Sequence, residues 1–421
     1  MRCPSTNLQE QVARHSLGWL LLGNLVGLLM ATLLLWPELG RLLGPLTYGR
    51  WTTVHLNIQL YGWCSVPLLG LLFRLYFPLG DDRGGALALH AWSGALSFSA
   101  VAWLAGQVSG KPFMEWTGLT RWIMPAAMLL LALILGQGYL RRCRTGGESG
   151  LVRAGKTLVL LVLASVPFVM AWAADPGMYP VINPDSGGAT GGSLLGSTLG
   201  IVVMFLAFPW IASLPVQRRS RLLPMAWVLL AAHYGWFMAL DHGHRSHHEL
   251  PQIIALFSLL LWWPVLVRYF RHFIWPAGSH RWLVAFACWS AVLLITALYT
   301  FLPGVLDRWK FTNALVAHTH IAMAGMLSCF LVLVLIAMDE GGRRAAALAR
   351  VPAFVLWHSS TYILCGVLLW LGTLEADRPA LVFFSEPASQ IAYAARLLAG
   401  LGMTAAAALW FVALRSPNKE I

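Results

Sequence analysis

The sequence predicts an all-α integral membrane protein with twelve transmembrane helices. Only 11% of its residues are charged, 58% are hydrophobic, and its mean hydropathy is +0.68. A soluble domain carries about 25% charged residues, so this chain cannot cover its exterior with a polar surface. Most of the exterior must face the lipid bilayer, and residues 1–421 are predicted to form a single polytopic membrane domain.

Apolar runs long enough to cross about 30 Å of hydrocarbon recur along the chain. Each run is expected to be a helix, because lipid offers no hydrogen-bond partner to an open backbone. No internal repeat and no soluble domain is visible in the sequence. The twelve predicted spans are residues 17–36, 52–77, 86–107, 120–140, 156–175, 193–214, 222–240, 251–271, 281–303, 312–338, 351–373 and 389–414.

The loops between these runs predict the orientation. Lysine and arginine are abundant in alternate loops, such as 141–156 and 343–350, and absent from the loop 176–192. Loops rich in these residues stay in the cytoplasm, so both termini are predicted to be cytoplasmic. The net charge of +12 is spread over these loops and does not form one basic domain, which argues against nucleic acid as a partner.

Histidines provide the main chemical signal, because histidine is costly inside a bilayer and is usually functional there. Seven of the thirteen histidines fall at the predicted outer depth of the membrane: His55 on helix 2, His318 and His320 on helix 10, and His242, His244, His247 and His248 at the end of helix 7. His90, His233 and His358 are interpreted as ordinary core histidines.

The His318-Thr319-His320 spacing has a geometric consequence. Residues two apart on a helix lie about 200° apart around its axis, so the two rings point to opposite sides. One helix could therefore ligate two separate haems. A haem with two histidine ligands needs a second ligand at the same depth, and His55 qualifies.

The segment from Asp241 to Glu249 holds the densest set of side chains that can bind metal. Its candidate ligands are His247 and His248, with Asp241, His242 and His244 as alternatives. Imidazole and carboxylate groups suit copper, iron or zinc. A solvated interhelical loop explains the same composition equally well.

Three stretches of sequence resemble one family: Thr47-Tyr-Gly-Arg-Trp-Thr-Thr-Val-His-Leu-Asn57, Gly110-Lys-Pro-Phe-Met-Glu-Trp116 and Val316-Ala-His-Thr-His-Ile-Ala-Met-Ala-Gly325. With twelve helices, they look like the central subunit (subunit I) of the haem-copper oxidase superfamily. They are closest to its cbb-type oxidase and nitric oxide reductase branches. The resemblance implies a subunit I-like helical bundle in the bacterial inner membrane.

The resemblance also implies roles for individual residues. His55 and His320 would be the axial ligands of a low-spin haem, and His318 the ligand of a high-spin haem. Two b-type haems are expected. The electron donor would be a c-type cytochrome or another donor subunit, and further membrane subunits are expected as partners. The six cysteines form no CxxCH motif, so any c-type haem would lie on another chain.

The sequence departs from the family at the second metal, which is copper or non-haem iron. The family places one histidine ligand on helix 6 and a histidine pair at the end of helix 7. Here no histidine occurs between 176 and 232, and the helix-6 position falls near Leu195 to Ser197. The pair is either His247-His248 or Asp241-His242. The family's helix-7 tyrosine also has no counterpart, so the second-metal site is predicted to be incomplete.

These features favour a haem-bearing central subunit of a respiratory terminal oxidase-like complex, an oxidoreductase that passes electrons from a cytochrome c or quinol to oxygen. Three alternatives stay open. The first is a nitric oxide reductase-type subunit, for which Glu249 is the candidate acid. The second is a non-catalytic electron-transfer or gas-sensing haem protein without the second metal. The third is a transporter with a histidine-lined metal path.

Overall fold

The protein is an all-α membrane bundle. A computed structural model describes residues 4–78, 80–175, 177–178, 191–218, 220–240, 248–339, 342–378 and 386–415, and this part of the chain contains no β-strand. Eleven of its helices are long and apolar enough to cross a membrane. The prediction of an integral, all-helical membrane protein is therefore confirmed.

The long helices follow one another along the chain. They are α1 (Pro4–Leu35), α2 (Tyr48–Tyr76), α3 (Gly85–Leu104), α4 (Thr120–Thr145), α5 (Gly150–Ala173), α6 (Gly191–Ile211), α7 (Leu222–Ala239), α8 (Leu250–Phe270), α9 (Ser279–Thr300), α10 (Asn313–Ala337), α11 (Val351–Asp377) and α12 (Pro387–Arg415). Short helices at Leu39–Leu42, Val305–Trp309 and Arg343–Leu348 lie between them.

The predicted spans correspond to these helices in order. The predicted span 193–214 overlaps α6, where the fully described apolar stretch, Thr198–Ile211, is shorter than a membrane span. The number twelve therefore stays a prediction. α1 begins well before the predicted residue 17, because its polar first turns are held by Arg344, which donates to the Gln9 carbonyl at 2.7 Å, and by Arg343, which bonds Glu10 at 2.6 Å.

The chain divides into two compact units. The first comprises residues 1–178, 338–356 and 400–421, and the second comprises residues 179–337 and 357–399. α1 to α5 belong to the first unit, and α7 to α10 belong to the second. The single membrane domain of residues 1–421 stays a prediction.

Two of the membrane helices change their winding part-way along. α2 is π-helical over Ile58–Cys64, and α10 is π-helical over Ile321–Leu327. A π-helical turn takes in one more residue than an α-helical turn, and such turns occur frequently at functional sites. The first follows His55 by three residues, and the second begins directly after His320.

Ion pairs hold the loops on the predicted cytoplasmic side of the first unit. Asp81 lies 2.9 Å from Arg83 and 2.7 Å from Arg141, which joins the loop after α2 to the end of α4. The hydrogen bond from Arg83 lowers the pKa of Asp81 to about 2. Glu148 lies 2.6 Å from Lys156 and joins the next loop to α5.

The loop after α3, which includes the predicted family stretch 110–116, is built around a buried carboxylate. Glu115 Oε2 accepts hydrogen bonds from the backbone N–H groups of Ser109 at 2.6 Å and Gly110 at 2.9 Å. The Lys111 ammonium donates to the carbonyl oxygens of Ala173 at 3.2 Å and Met178 at 2.6 Å, and also to that of Asp175. Lys111 thus places a positive charge at the carboxyl end of α5, where the helix dipole favours a cation.

Replacing Lys111 with methionine is expected to lower the thermal stability of the purified protein. Hydrogen bonds to a charged group contribute about 2 kcal/mol, and the change removes the ammonium that satisfies the last carbonyls of α5. Thermal unfolding in detergent measures the effect. Lys310→Met is the control, because that ammonium lies 5.4 Å from the centre of the Phe311 ring in another loop. Equal melting temperatures for the two variants would contradict the role of Lys111.

Candidate histidine ligand site

His55 is fixed on α2 by a hydrogen bond to α1. Its Nδ1 lies 2.9 Å from the carbonyl oxygen of Gly23. A carbonyl can only accept, so Nδ1 carries the proton and the lone pair is on Nε2. The ring also packs on Gly27, where an added Cβ would lie 2.8 Å from His55 Cε1. α1 therefore fixes both the tautomer and the position of this ring.

His318 adopts the same tautomer through a different partner. Its Nδ1 lies 3.1 Å from Thr296 Oγ1 on α9, and this hydroxyl donates its own proton to the carbonyl oxygen of Val292 at 2.9 Å. With that proton on the carbonyl side, Thr296 Oγ1 accepts a hydrogen bond from His318 Nδ1. The lone pair of His318 is again on Nε2. A histidine that ligates a metal commonly donates its other ring N–H in this way.

His320 also donates through Nδ1, but within its own helix. Nδ1 lies 2.8 Å from the carbonyl oxygen of Val316, four residues earlier. His90 and His272 make the same local bond, so it is weaker support for a ligand role than the long-range bonds of His55 and His318. The α-helical part of α10 runs from Asn313 to His320, which gives the two histidines the predicted separation of about 200°.

The two buried core histidines have the opposite tautomer. His233 Nδ1 accepts a hydrogen bond from Trp262 Nε1 at 2.9 Å, so its proton is on Nε2, which donates to Ser258 Oγ at 2.8 Å. His358 Nδ1 likewise accepts from Trp289 Nε1 at 3.0 Å. The interpretation of both as hydrogen-bonded core histidines is confirmed. For His90 the same interpretation was wrong, because its side chain is exposed.

One buried donor lies next to His55 along α2. Trp51 Nε1 is buried and has no hydrogen-bond partner among the residues that the structure describes. Trp51 precedes His55 by four residues, so the two side chains lie on the same face of the helix. A buried N–H without an acceptor is costly, and a ligand oxygen on this face would satisfy it.

The predicted second-metal ligands lie mostly outside the described residues. This applies to Asp241, His242, His244 and His247. His248 is described, and its Nε2 lies 3.2 Å from Asp307 Oδ2. Within the described ranges, no group of three or more histidine, cysteine, aspartate or glutamate side chains is arranged to hold a metal ion.

The candidate ligands are distributed over both units. His55 belongs to the first unit, whereas His318 and His320 belong to the second. The pairing of His55 with His320 stays a prediction. Sequence reasoning missed the residues that fix these rings, Gly23, Gly27 and Thr296. The Gly23–Gly27 spacing was a usable signal, because small residues four apart mark close helix contacts in membranes.

Comparison with known proteins adds no family assignment. No protein-family model matches the chain, and no curated protein matches it.

Proposed function

We propose that the chain is a haem-bearing central membrane subunit of a respiratory terminal oxidase-like complex. Its function would be to pass electrons from a cytochrome c or a quinol to oxygen at a high-spin haem. The observation that carries the proposal is the shared tautomer of His55, His318 and His320, each of which has its proton on Nδ1 and its lone pair on Nε2. The buried His233 and His358 have the opposite tautomer.

The residues present fit a haem in three respects. The His55 ring is held against a glycine that leaves no space for a side chain, so its direction is fixed. The orphaned indole N–H of Trp51 suits an acceptor such as a haem carboxylate. His318 and His320 lie on opposite sides of one helix, which suits two haems rather than one metal ion.

In this proposal, His55 and His320 would hold the low-spin haem and His318 the high-spin haem. Bound haem supplies one-electron redox chemistry, which the protein's own side chains cannot provide. The chain's contribution is to keep each Nε2 unprotonated and each ring oriented. The subunit I-like bundle of twelve spans and the bacterial inner membrane belong to the same proposal.

The exterior of α5 is consistent with further membrane partners. Only 11% of its apolar span is buried inside the protein, compared with 67% for α10. Most of its exposed side chains are apolar, and they include Leu158, Phe168 and Trp172. This face is suited to lipid or to another membrane subunit.

A haem count on the purified protein tests the proposal. We expect two b-type haems for each chain, measured by extraction and by the reduced-minus-oxidised optical spectrum. A protein that inserts into the membrane and purifies without haem would refute the proposal. In that case, the transporter alternative would become the leading explanation of the clustered histidines.

A second candidate is a non-catalytic haem protein that transfers electrons or senses a gas. The observation that favours it concerns a possible ligand of the second metal. Both ring nitrogens of His233, the histidine in the middle of α7, are used in hydrogen bonds. His233 therefore does not replace the missing helix-6 ligand. Metal analysis on the same sample separates the two candidates. One tightly held copper or non-haem iron, lost on His247→Ala plus His248→Ala, would favour the oxidase, and its absence would favour the second candidate.

A further inference from the structure

The two π-helical segments belong to a repeated sequence pattern. His55 is followed by Gly62 after seven residues and by Ser65 three residues later. The same spacing connects His318, Gly325 and Ser328. Each glycine lies inside the π-helical segment of its helix.

Hydrogen bonds to two successive carbonyls of each π-helical segment are also repeated. In α2, Ser65 Oγ donates to the carbonyl oxygen of Leu60 at 2.8 Å, and Trp92 Nε1 donates to that of Tyr61 at 2.8 Å.

In α10, the equivalent atoms make the equivalent bonds. Ser328 Oγ donates to the carbonyl oxygen of Met323 at 2.8 Å, and Trp357 Nε1 donates to that of Ala324 at 3.1 Å. Each tryptophan comes from the next membrane helix along the chain, α3 for the first segment and α11 for the second.

A second tryptophan completes each copy. An added Cβ at Gly62 would lie 2.7 Å from Trp19 Cγ on α1, and one at Gly325 would lie 2.6 Å from Trp289 Cδ2 on α9.

Trp19 and Trp289 also bond the residue that directly follows Trp92 or Trp357 along the chain. Trp19 Nε1 donates to Ser93 Oγ at 3.2 Å, and Trp289 Nε1 donates to His358 Nδ1 at 3.0 Å. Helices α1 to α3 and α9 to α11 therefore contain two copies of one structural module. The expectation that the chain has no internal repeat was wrong.

The repeat pairs His55 with His318, whereas Asn57 occupies the position that corresponds to His320. Each module thus carries one histidine at the same place, seven residues before the glycine that packs on tryptophan. The second module has an additional histidine. The contacts preserved in both copies are those that hold the π-helical turn, which indicates that this turn has a common purpose.

We infer that Trp92 and Trp357 are equivalent positioning residues, each of which holds the π-helical turn that sets the direction of the histidine in its module. The inference rests on the proposed function, in which His55 and His318 are haem ligands. The extra residue of a π-helical turn rotates the preceding part of the helix by about 100° relative to the part that follows. It also leaves carbonyls without their usual intrahelical partner, and lipid cannot satisfy them.

Each indole satisfies one of these carbonyls. Without it, the segment is expected to lose its fixed winding, and the histidine that precedes it would lose its fixed direction. The loss of winding should begin in the segment whose tryptophan is changed, because the Trp92 indole bonds the α2 segment and the Trp357 indole bonds the α10 segment.

The variants Trp92→Phe and Trp357→Phe test this inference. Trp103→Phe and Trp263→Phe are matched controls, because their indoles also donate to backbone carbonyls, those of Glu115 at 2.6 Å and Ala287 at 2.8 Å. We expect Trp92→Phe to alter the low-spin spectrum alone. We expect Trp357→Phe to weaken carbon monoxide binding about 10-fold, the scale of losing a group that orients a ligand. It should alter the low-spin spectrum as well, because His320 also lies directly before the α10 segment. The controls should change neither signal.

Hydrogen–deuterium exchange of residues 58–64 and 321–327 provides a readout that does not need haem. Each variant should raise exchange in its own segment and leave the other unchanged. Unchanged exchange, or exchange that rises without any change in the haem signals, would overturn the inference. A wild-type protein without haem would count against the proposed function, and the exchange data would still decide whether the tryptophans hold the turns.

Discussion

Replacing His55 or His320 with alanine is expected to abolish the low-spin haem signal while the protein still inserts into the membrane. A low-spin haem needs two strong axial ligands, and each of these histidines would supply one Nε2 lone pair. Removing either ligand leaves the haem with a single histidine, so the low-spin optical spectrum should be lost completely rather than weakened. Optical spectroscopy of the reduced and oxidised protein measures this.

A suitable control is His90→Ala. His90 donates Nδ1 to the carbonyl oxygen of Ala86 and has the same tautomer as His55, but it is exposed and is not a predicted ligand. Its loss should leave the spectrum unchanged. If the His55→Ala protein retains a full low-spin spectrum, the assignment of His55 is wrong.

The fold was predictable from the sequence because lipid imposes a simple rule. A chain that crosses hydrocarbon must satisfy its own backbone, so apolar runs of sufficient length predict helices. The ends of the helices were less predictable. α1 extends into a polar segment because Arg343 and Arg344, more than three hundred residues away along the chain, bond its first turns.

The π-helical segments could not be predicted from local sequence. The choice between an α-helical and a π-helical turn depends on partners for the carbonyls that are freed. Here those partners include Trp92 and Trp357 on neighbouring helices. The internal repeat was not predicted either, because its members are spread over three helices and few residues are identical.

For the candidate site, the sequence identified which histidines to consider but not their protonation. The tautomers of His55 and His318 depend on Gly23 and Thr296, and only the folded structure brings these residues to the rings. The same applies to His233. Its position in a membrane helix implies a free-energy cost of burying a polar ring, and its hydrogen bonds to Trp262 and Ser258 offset that cost.

Replacing His318 with alanine is expected to eliminate carbon monoxide binding to the reduced protein. Carbon monoxide needs a haem with one open axial position, and in the proposed arrangement only the haem on His318 has one. The wild-type protein should therefore bind carbon monoxide at one haem out of two, and the His318→Ala protein at none. Reduced spectra recorded with and without carbon monoxide measure the fraction bound.

The variant Thr296→Val separates ligation by His318 from its orientation. It removes the hydroxyl that accepts from His318 Nδ1 but leaves the imidazole in place. Loss of a partner of this kind typically costs about 10-fold to 100-fold in metal affinity. The haem on His318 should therefore be held less tightly, and carbon monoxide binding should be weakened but still present. His233→Ala, which removes a buried histidine of the opposite tautomer on α7, should retain the carbon monoxide shift. A carbon monoxide shift of full size in the His318→Ala protein would show that another residue holds the open haem.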